Sequence, residues 1–288
     1  MDAFISILGI FVLLGIAYLL SNNRKAIRIR TVFGALAIQI AIGAFILYVP
    51  IGRDALLDMS NAVSKVIAYA NEGISFVFGG LVSGESVGFI FAIKVLPVIV
   101  FFSALISLLY YIGVMQWVIK LIGGGLQKVL GTSKAESMSA AANIFVGQTE
   151  APLVVKPYIS KMTESELFAI MCGGLASISG SVLAGYAGLG VPLAYLIAAS
   201  FMAAPAGLLF AKILYPQTEK FNDEIENVEL DKPSNALEAI ASGAGAGMTI
   251  ALSIGAMLVA FIALIALING ILGGIGEWFN QPELSLGI

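Results

Sequence analysis

Residues 4–20 run the length of a membrane crossing without one charged side chain, and apolar stretches of this kind recur down the chain. Such runs leave few ways to fold. Lipid offers no water to a bare N–H or C=O, so each run must close its own hydrogen bonds as a helix or join a sealed barrel. Helices fit the lengths, since about 20 residues at about 1.5 Å each span a hydrocarbon core of about 30 Å. Hydrophobic residues make up 59% of the sequence and charged ones 11%, against about 25% charged in an ordinary soluble domain. The expectation is an all-α polytopic membrane protein with about six transmembrane helices in 288 residues. Its first run is too long and uninterrupted for a signal-peptide core and reads as a retained span.

What the chain lacks narrows the function. It has no histidine and one cysteine, Cys172 in an apolar run. That removes an internal disulfide, the usual general base, the Ser-His nucleophile and most zinc sites. Basic patches interleaved with aromatics are missing too, so nucleic acid is not an expected partner. The expectation is a protein that is not an enzyme and has no organic cofactor.

Taken in order, the first span at 4–20 is followed by Arg24, Lys25, Arg28 and Arg30, the densest basic cluster. Cytoplasmic loops are enriched in Lys and Arg, which puts this loop inside and the N-terminus outside. A second span covers 32–49. From 53 to 71, Leu56, Leu57, Met59, Val63, Val66 and Ile67 alternate with Asp54, Asp58, Ser60, Asn61 and Lys65 at helical spacing. This reads as an amphipathic helix in the membrane interface, with a seventh crossing as the alternative. Gly73, Gly79, Gly80, Gly84 and Gly88 then mark loops or close packing. The third span, 89–114, carries Lys94 and Pro97 near its start, Lys94 reading as a snorkelling lysine. A weakly hydrophobic stretch with Lys120, Gly123, Gly124, Gly125, Lys128, Lys134 and Glu136 follows.

Thr163 and Glu166 have capping-box spacing and open a fourth span. It is crowded with Gly173, Gly174, Ser177, Ser179, Gly180, Ser181 and Gly185. These residues read as tight helix packing or as a helix opened to present carbonyls and hydroxyls. The fifth span, 193–214, is interrupted by Pro205 and Gly207. Next comes a hydrophilic, solvated linker, which Lys212, Lys220 and Lys232 keep cytoplasmic. A long last span starts at 236 with SGAGAGMT, and Trp278 and Phe279 anchor its far end at the interface. Of the 15 lysines and arginines only Arg53, Lys65 and Lys94 depart from this orientation.

One stretch does not read as a span at all. Residues 139–160, SAAANIFVGQTEAPLVVKPYIS, set Asn143, Gln148, Thr149 and Glu150 between an alanine-rich and a valine-rich run. Gly147 can end one helix, Thr149 can cap another, and Pro152 suits a first turn. Arms of roughly eight or nine residues reach only about 12 to 13 Å, less than half of a core of about 30 Å. The reading is a re-entrant hairpin entered from the cytoplasmic side, its tip near mid-membrane. An unwound tip survives only inside protein or a wet cavity, where its carbonyls can hold a small cation. The bland alternative is a cytoplasmic loop with Glu150 solvated or paired to Lys156 or Lys161.

The stretches NIFVGQTEAPLVVKPY, LYYIGVMQWVIKLIGGGLQKVLGTSKAESMSAAAN and MCGGLASISGSVLAGYAGLGVP together resemble the bacterial concentrative nucleoside transporters, sodium-coupled symporters. The resemblance implies nucleobase contacts at Gly147, Gln148, Thr149, Glu150 and Val182, and sodium ligands at Asn143, Val146, Ser177 and Ile178. It further implies a homotrimer in the bacterial inner membrane, N-terminus periplasmic, with lipid, sodium and a nucleoside as partners. Residues 1–114, with the interfacial helix at about 53–72, and the long span at 236–279 would form a scaffold. Residues 115–215, with the hairpin and its approach over about 117–160 and spans four and five, would belong to a transport part. Residues 216–235 would link them. Against the family's two inverted repeats, only the first is in this sequence. The second hairpin and the ribose-binding residues are expected beyond Ile288, so these residues alone would not transport. The stretch SGESVGFIF is also shorter than the family pattern. Proton coupling through Glu150 is the alternative to sodium. An intramembrane enzyme, or a scaffold or channel subunit, are the readings from other classes.

Overall fold

Glycines and prolines decide where these apolar runs stop or bend. The computed structural model describes residues 2–83, 90–148, 151–221, 233–278 and 285–287. The first run forms α1 (Asp2–Leu19), and a short 3-10 turn leads to α2 (Ile29–Tyr48). Arg24 folds back to donate to the carbonyls of Leu19 (2.6 Å) and Tyr18 (3.2 Å), filling acceptors that a helix end leaves open. The amphipathic stretch is α3 (Pro50–Phe78), longer than expected, with Gly73 inside it rather than in a loop. Leu56, Ala70 and Ile74 are buried while Asp54, Asp58 and Lys65 are exposed, so one face packs inward. At its end Gly79 takes φ +52°, open to a residue without Cβ, and α4 (Gly80–Ser83) follows. Gly84, Gly88 and most of the shortened SGESVGFIF stretch lie outside the described residues.

The third run is not one helix. It splits at Val95 into α5 (Phe91–Lys94) and α6 (Leu96–Tyr111), just ahead of Pro97, whose nitrogen has no hydrogen to donate. Lys94, just before the split, is half-buried. The weakly hydrophobic approach, with Gly123, Gly124 and Gly125 inside it, forms a continuous helix, α7 (Val114–Leu130). Met115, Ile119, Gly123, Leu126 and Leu130 are its buried face, at a spacing of three and four. Gly123 is there for proximity, since a methyl group added to it would lie 3.1 Å from Met138 Cα and Ser137 O. The last carbonyls of α7 are taken from outside, by Arg30 at Lys128 O (2.7 Å) and Val129 O (3.2 Å) and by Thr31 at Leu130 O (2.9 Å).

The polar stretch contains α8 (Lys134–Ala142) and α9 (Ala151–Val154), then a 3-10 turn at Lys156–Lys161. The first arm starts at Lys134, before the expected Ser139, because Ser133 and Glu136 form a capping box. The second arm is not the regular helix expected from 152 to 160. Pro157 lacks an N–H and disfavours helix in the residue before it, and the chain tightens instead. Next come α10 (Glu164–Ala176), α11 (Gly180–Gly188) and α12 (Leu193–Leu214). Pro205 does not interrupt α12, which runs through it with the proline fully buried. Gly207 lets α12 approach α10 closely: a methyl there would lie 3.1 Å from Gly173 Cα. The linker is not wholly solvated either, for Gln217 is buried and donates to Thr163 Oγ1 at 3.0 Å. Residues 222–232 and Phe279 lie outside the described residues.

The last helix, α13 (Ala236–Trp278), has 43 residues, or about 65 Å at about 1.5 Å each. It meets α6 along a ridge of small residues, Ala239, Gly243, Gly247 and Ala251, all buried at a spacing of four. Among the described residues five helical segments are long and apolar enough to cross a membrane: Ile29–Tyr48, Phe91–Tyr111, Glu164–Gly188, Leu193–Leu214 and Ala236–Trp278. With the shorter apolar run of α1, Leu8–Leu19, they match the six expected.

A methyl group on Gly247 would stand 2.7 Å from Ser103 Cβ and 2.8 Å from Val100 Cα, whereas one on Gly245 meets nothing within 4 Å. Gly247→Ala should therefore destabilise the purified protein by about 1–3 kcal/mol through overpacking. Gly245→Ala, on the same helix, should be neutral or stabilising by up to about 1 kcal/mol. Thermal unfolding in detergent checks the pair.

Candidate functional site

The polar stretch and the small-residue helix break where they touch. α8 loses its regular pattern at Asn143, where Ile144 N bonds Ala141 O and Phe145 N bonds Ala142 O, one residue tighter than an α-helix. On the other side α10 ends at Ser177, whose φ −106° and ψ 157° are extended, and α11 restarts after Ser179. Gly180 N, placed to close on Ala176 O had the helix continued, donates instead to Phe145 O at 3.0 Å. One opened segment thus satisfies the other, and Ala176 O is deprived of its helical partner. The opened-helix reading of 177–179 holds, and so does the close-packing reading of its glycines.

Further contacts fix the arrangement. A methyl group on Gly147 would come 3.0 Å from Ser179 Cβ, one on Gly174 2.9 Å from Gln148 Cβ, and one on Gly173 3.1 Å from Asn143 Nδ2. Ser179 caps α11, accepting from Val182 N at 3.3 Å, and its hydroxyl lies 3.1 Å from that of Ser181. Ser177 Oγ reaches back to Gly174 O at 3.5 Å, a long contact that leaves the hydroxyl available.

The expected cation ligands are thereby brought to one junction. Asn143 is 1% exposed, and among the described residues neither its amide oxygen nor its amide nitrogen has a hydrogen-bond partner. Leaving such a group unsatisfied costs about 1–3 kcal/mol, so a buried amide of this kind is a place for a water, an ion or a further polar group. Val146 is fully buried, while Ser177 and Ile178 are half-buried in the break. Amide, hydroxyl and main-chain oxygens are neutral donors suited to a small hard cation. Of the expected substrate contacts, Gly147 is half-buried, Gln148 is exposed against Gly174, and Val182 is half-buried one turn into α11. Thr149 and Glu150 lie outside the described residues.

Two charged residues escaped the sequence reading. Lys212, counted among the lysines that keep the linker cytoplasmic, is 4% exposed and pairs with Glu136, which is 1% exposed. Their signals were present: Lys212 is the one charge in an otherwise uncharged helix, and Ser133 to Glu136 has capping-box spacing.

Apolar spans and a pair of helices opened against each other around an unpartnered amide define a membrane transporter of the broken-helix kind. Three family models match successive parts of the chain: Na+ dependent nucleoside transporter N-terminus over residues 8–81, nucleoside recognition over 92–193, and Na+ dependent nucleoside transporter C-terminus over 195–288. An uncharacterized transporter of Haemophilus influenzae is 69% identical over 288 residues, 99% of this chain and 69% of that protein. The nucleoside permease NupC of Helicobacter pylori is 54% identical, over 98% of this chain and 69% of its own length. Among solved structures, CNTnw in an inward-facing substrate-bound state matches with a TM-score of 0.93 and 63% identity, over 99% of this chain and 69% of that one. The chain belongs to the concentrative nucleoside transporter family, whose members are transporters and not enzymes.

Gly180→Ala would push a methyl group to 2.5 Å from Phe145 O, the acceptor of the bond that joins the two openings. The variant should lose about 1–3 kcal/mol of stability, read as a lowered midpoint of thermal unfolding in detergent. An unchanged midpoint would mean that the junction is slack.

Proposed function

We propose that this chain carries the coupling site of a sodium-driven nucleoside symporter in the bacterial inner membrane. Sodium sits between the two openings, held by the Asn143 side chain, main-chain oxygen from Val146 and Ile178, and Ser177. Gly147, Gln148, Thr149, Glu150 and Val182 face the nucleobase, the glutamine and glutamate meeting its polar edge. The observation that carries the reading is the Asn143 amide, buried with both atoms unpartnered among the described residues at the end of α8, in a family described as Na+ dependent. A sodium ion tied to both openings orders the tip that presents Gln148 to Glu150, so ion and nucleoside raise each other's affinity.

The membrane arrangement follows the charges. α8 has nine residues, or about 14 Å, too short to cross, and its tip with α9 forms the re-entrant hairpin entered from the cytoplasm. Arg24, Lys25, Arg28 and Arg30 put the α1–α2 turn inside and the N-terminus in the periplasm. Residues 1–114 and 236–279 form a scaffold, 115–215 a moving transport part, and 216–235 the link between them. Three copies assemble through the scaffold, for which α13 offers exposed apolar residues such as Leu252, Phe261 and Ile262.

Asn143→Ala removes one charge-assisted contact, worth about 1.5–3 kcal/mol, and so should raise the half-saturating sodium concentration for nucleoside uptake by about 10- to 150-fold. Uptake into proteoliposomes over a sodium series checks it. Unchanged sodium dependence would remove the site, and uptake driven by pH without sodium would favour proton coupling at Glu150.

A further inference from the structure

The buried ion pair between Lys212 and Glu136 is used by nothing described so far. Lys212 Nζ also donates to Ser165 Oγ at 2.8 Å, with Ser165 O and Gln217 Oε1 each at 3.3 Å. One ammonium thus ties the start of α8, the start of α10 and the end of α12. Each tied start is already rigid. The second oxygen of Glu136 closes the capping box of α8 on Ser133 N at 3.4 Å, and Thr163 and Glu166 form the equivalent box on α10. Gln217, bonded to Thr163 Oγ1, locks the α10 box to the same node.

The helix from this node leads straight to the junction. Glu136, Ser139 and Asn143 follow one another at a spacing of three and four, on one face of α8, and all are buried. Asn143 lies two turns beyond Glu136, about 10 Å along the axis. A short capped helix held within the fold has little room to bend, so a shift at Glu136 is a shift at Asn143. A buried ion pair adds little net stability compared with apolar side chains of the same size. Its geometry is what apolar side chains cannot copy.

We propose that Lys212 is a positioning residue for the cation site: through Glu136 it sets where α8 holds the Asn143 amide. The inference rests on Asn143 being a sodium ligand, which the Asn143→Ala variant tests separately. The role is that of the outer partners that orient ligands in metal sites, whose loss lowers ion affinity by about 10- to 100-fold.

The test uses the complete gene product in sodium-free proteoliposomes, with nucleoside uptake measured over a sodium series for Lys212→Met, Glu136→Gln and the double variant. Each single variant should raise the half-saturating sodium concentration by about tenfold or more. At saturating sodium, the nucleoside KM and the maximal rate should return to near the parent values. The double variant should be no worse than either single one, because each breaks the same tether. Glu136→Asp keeps the charge and the Ser133 hydroxyl cap on its own N–H but draws the carboxylate back by one methylene, and serves where Glu136→Gln does not fold; it should shift the sodium dependence in the same direction. Parent sodium dependence in folded Glu136→Asp, or a fall in maximal rate that saturating sodium does not restore, would overturn the proposal. A shifted Asn143→Ala beside an unshifted Glu136→Asp removes the positioning role alone. An unshifted Asn143→Ala removes the cation site and this role together.

Discussion

Main chain that leaves a helix inside an apolar bundle has to find its hydrogen bonds in protein, and here the bond from Gly180 N to Phe145 O at 3.0 Å answers that demand. Two openings share it. Without the second, Phe145 O would lose the donor that ties it to the other opening, and residues 177–179 would be an unsupported break in a span. Glycine at 180 is what lets the carbonyl approach, and Gly147, Gly173 and Gly174 admit Ser179, Asn143 and Gln148 at the same junction. The residues that crowd the fourth span are small because another chain segment occupies the space their side chains would fill.

This junction also explains what was legible in advance. Asn143, Gln148 and the serines at 177, 179 and 181 stood out because polar groups are costly within apolar runs, and that cost is visible without coordinates. Thr163 with Glu166 announced a helix start that is there. Failures came where a residue type has two opposite uses. Gly207 reads as an interruption, yet it lies inside α12, where it allows contact with Gly173. Pro205 reads as an interruption, yet α12 passes through it at a fully buried position, with only its own backbone bond lost.

Charge was the most misleading class. Lysine near a span end ordinarily snorkels to the interface, and Lys212 two residues before the end of α12 fits that pattern. It turns inward instead, since Glu136 and Ser165 await it from two segments distant in sequence, and Gln217 from just beyond the helix end. Only the fold brings those partners together, so composition and spacing could not foretell the pair. The same holds for Gln217, which looked like linker and is part of the packed node.

Capped helix starts at one end and opened helix ends at the other give the site its character: rigid supports carry an unwound junction with an unpartnered amide. In the function proposed for this nucleoside transporter, that junction is where ion and substrate are coupled. Coupling of this kind is reciprocal by thermodynamic necessity. The most direct measurement is equilibrium binding on the purified complete protein, with nucleoside affinity taken in the presence and absence of sodium and sodium affinity with and without nucleoside. The account predicts that each ligand tightens the other by the same factor. A nucleoside affinity indifferent to sodium would contradict it.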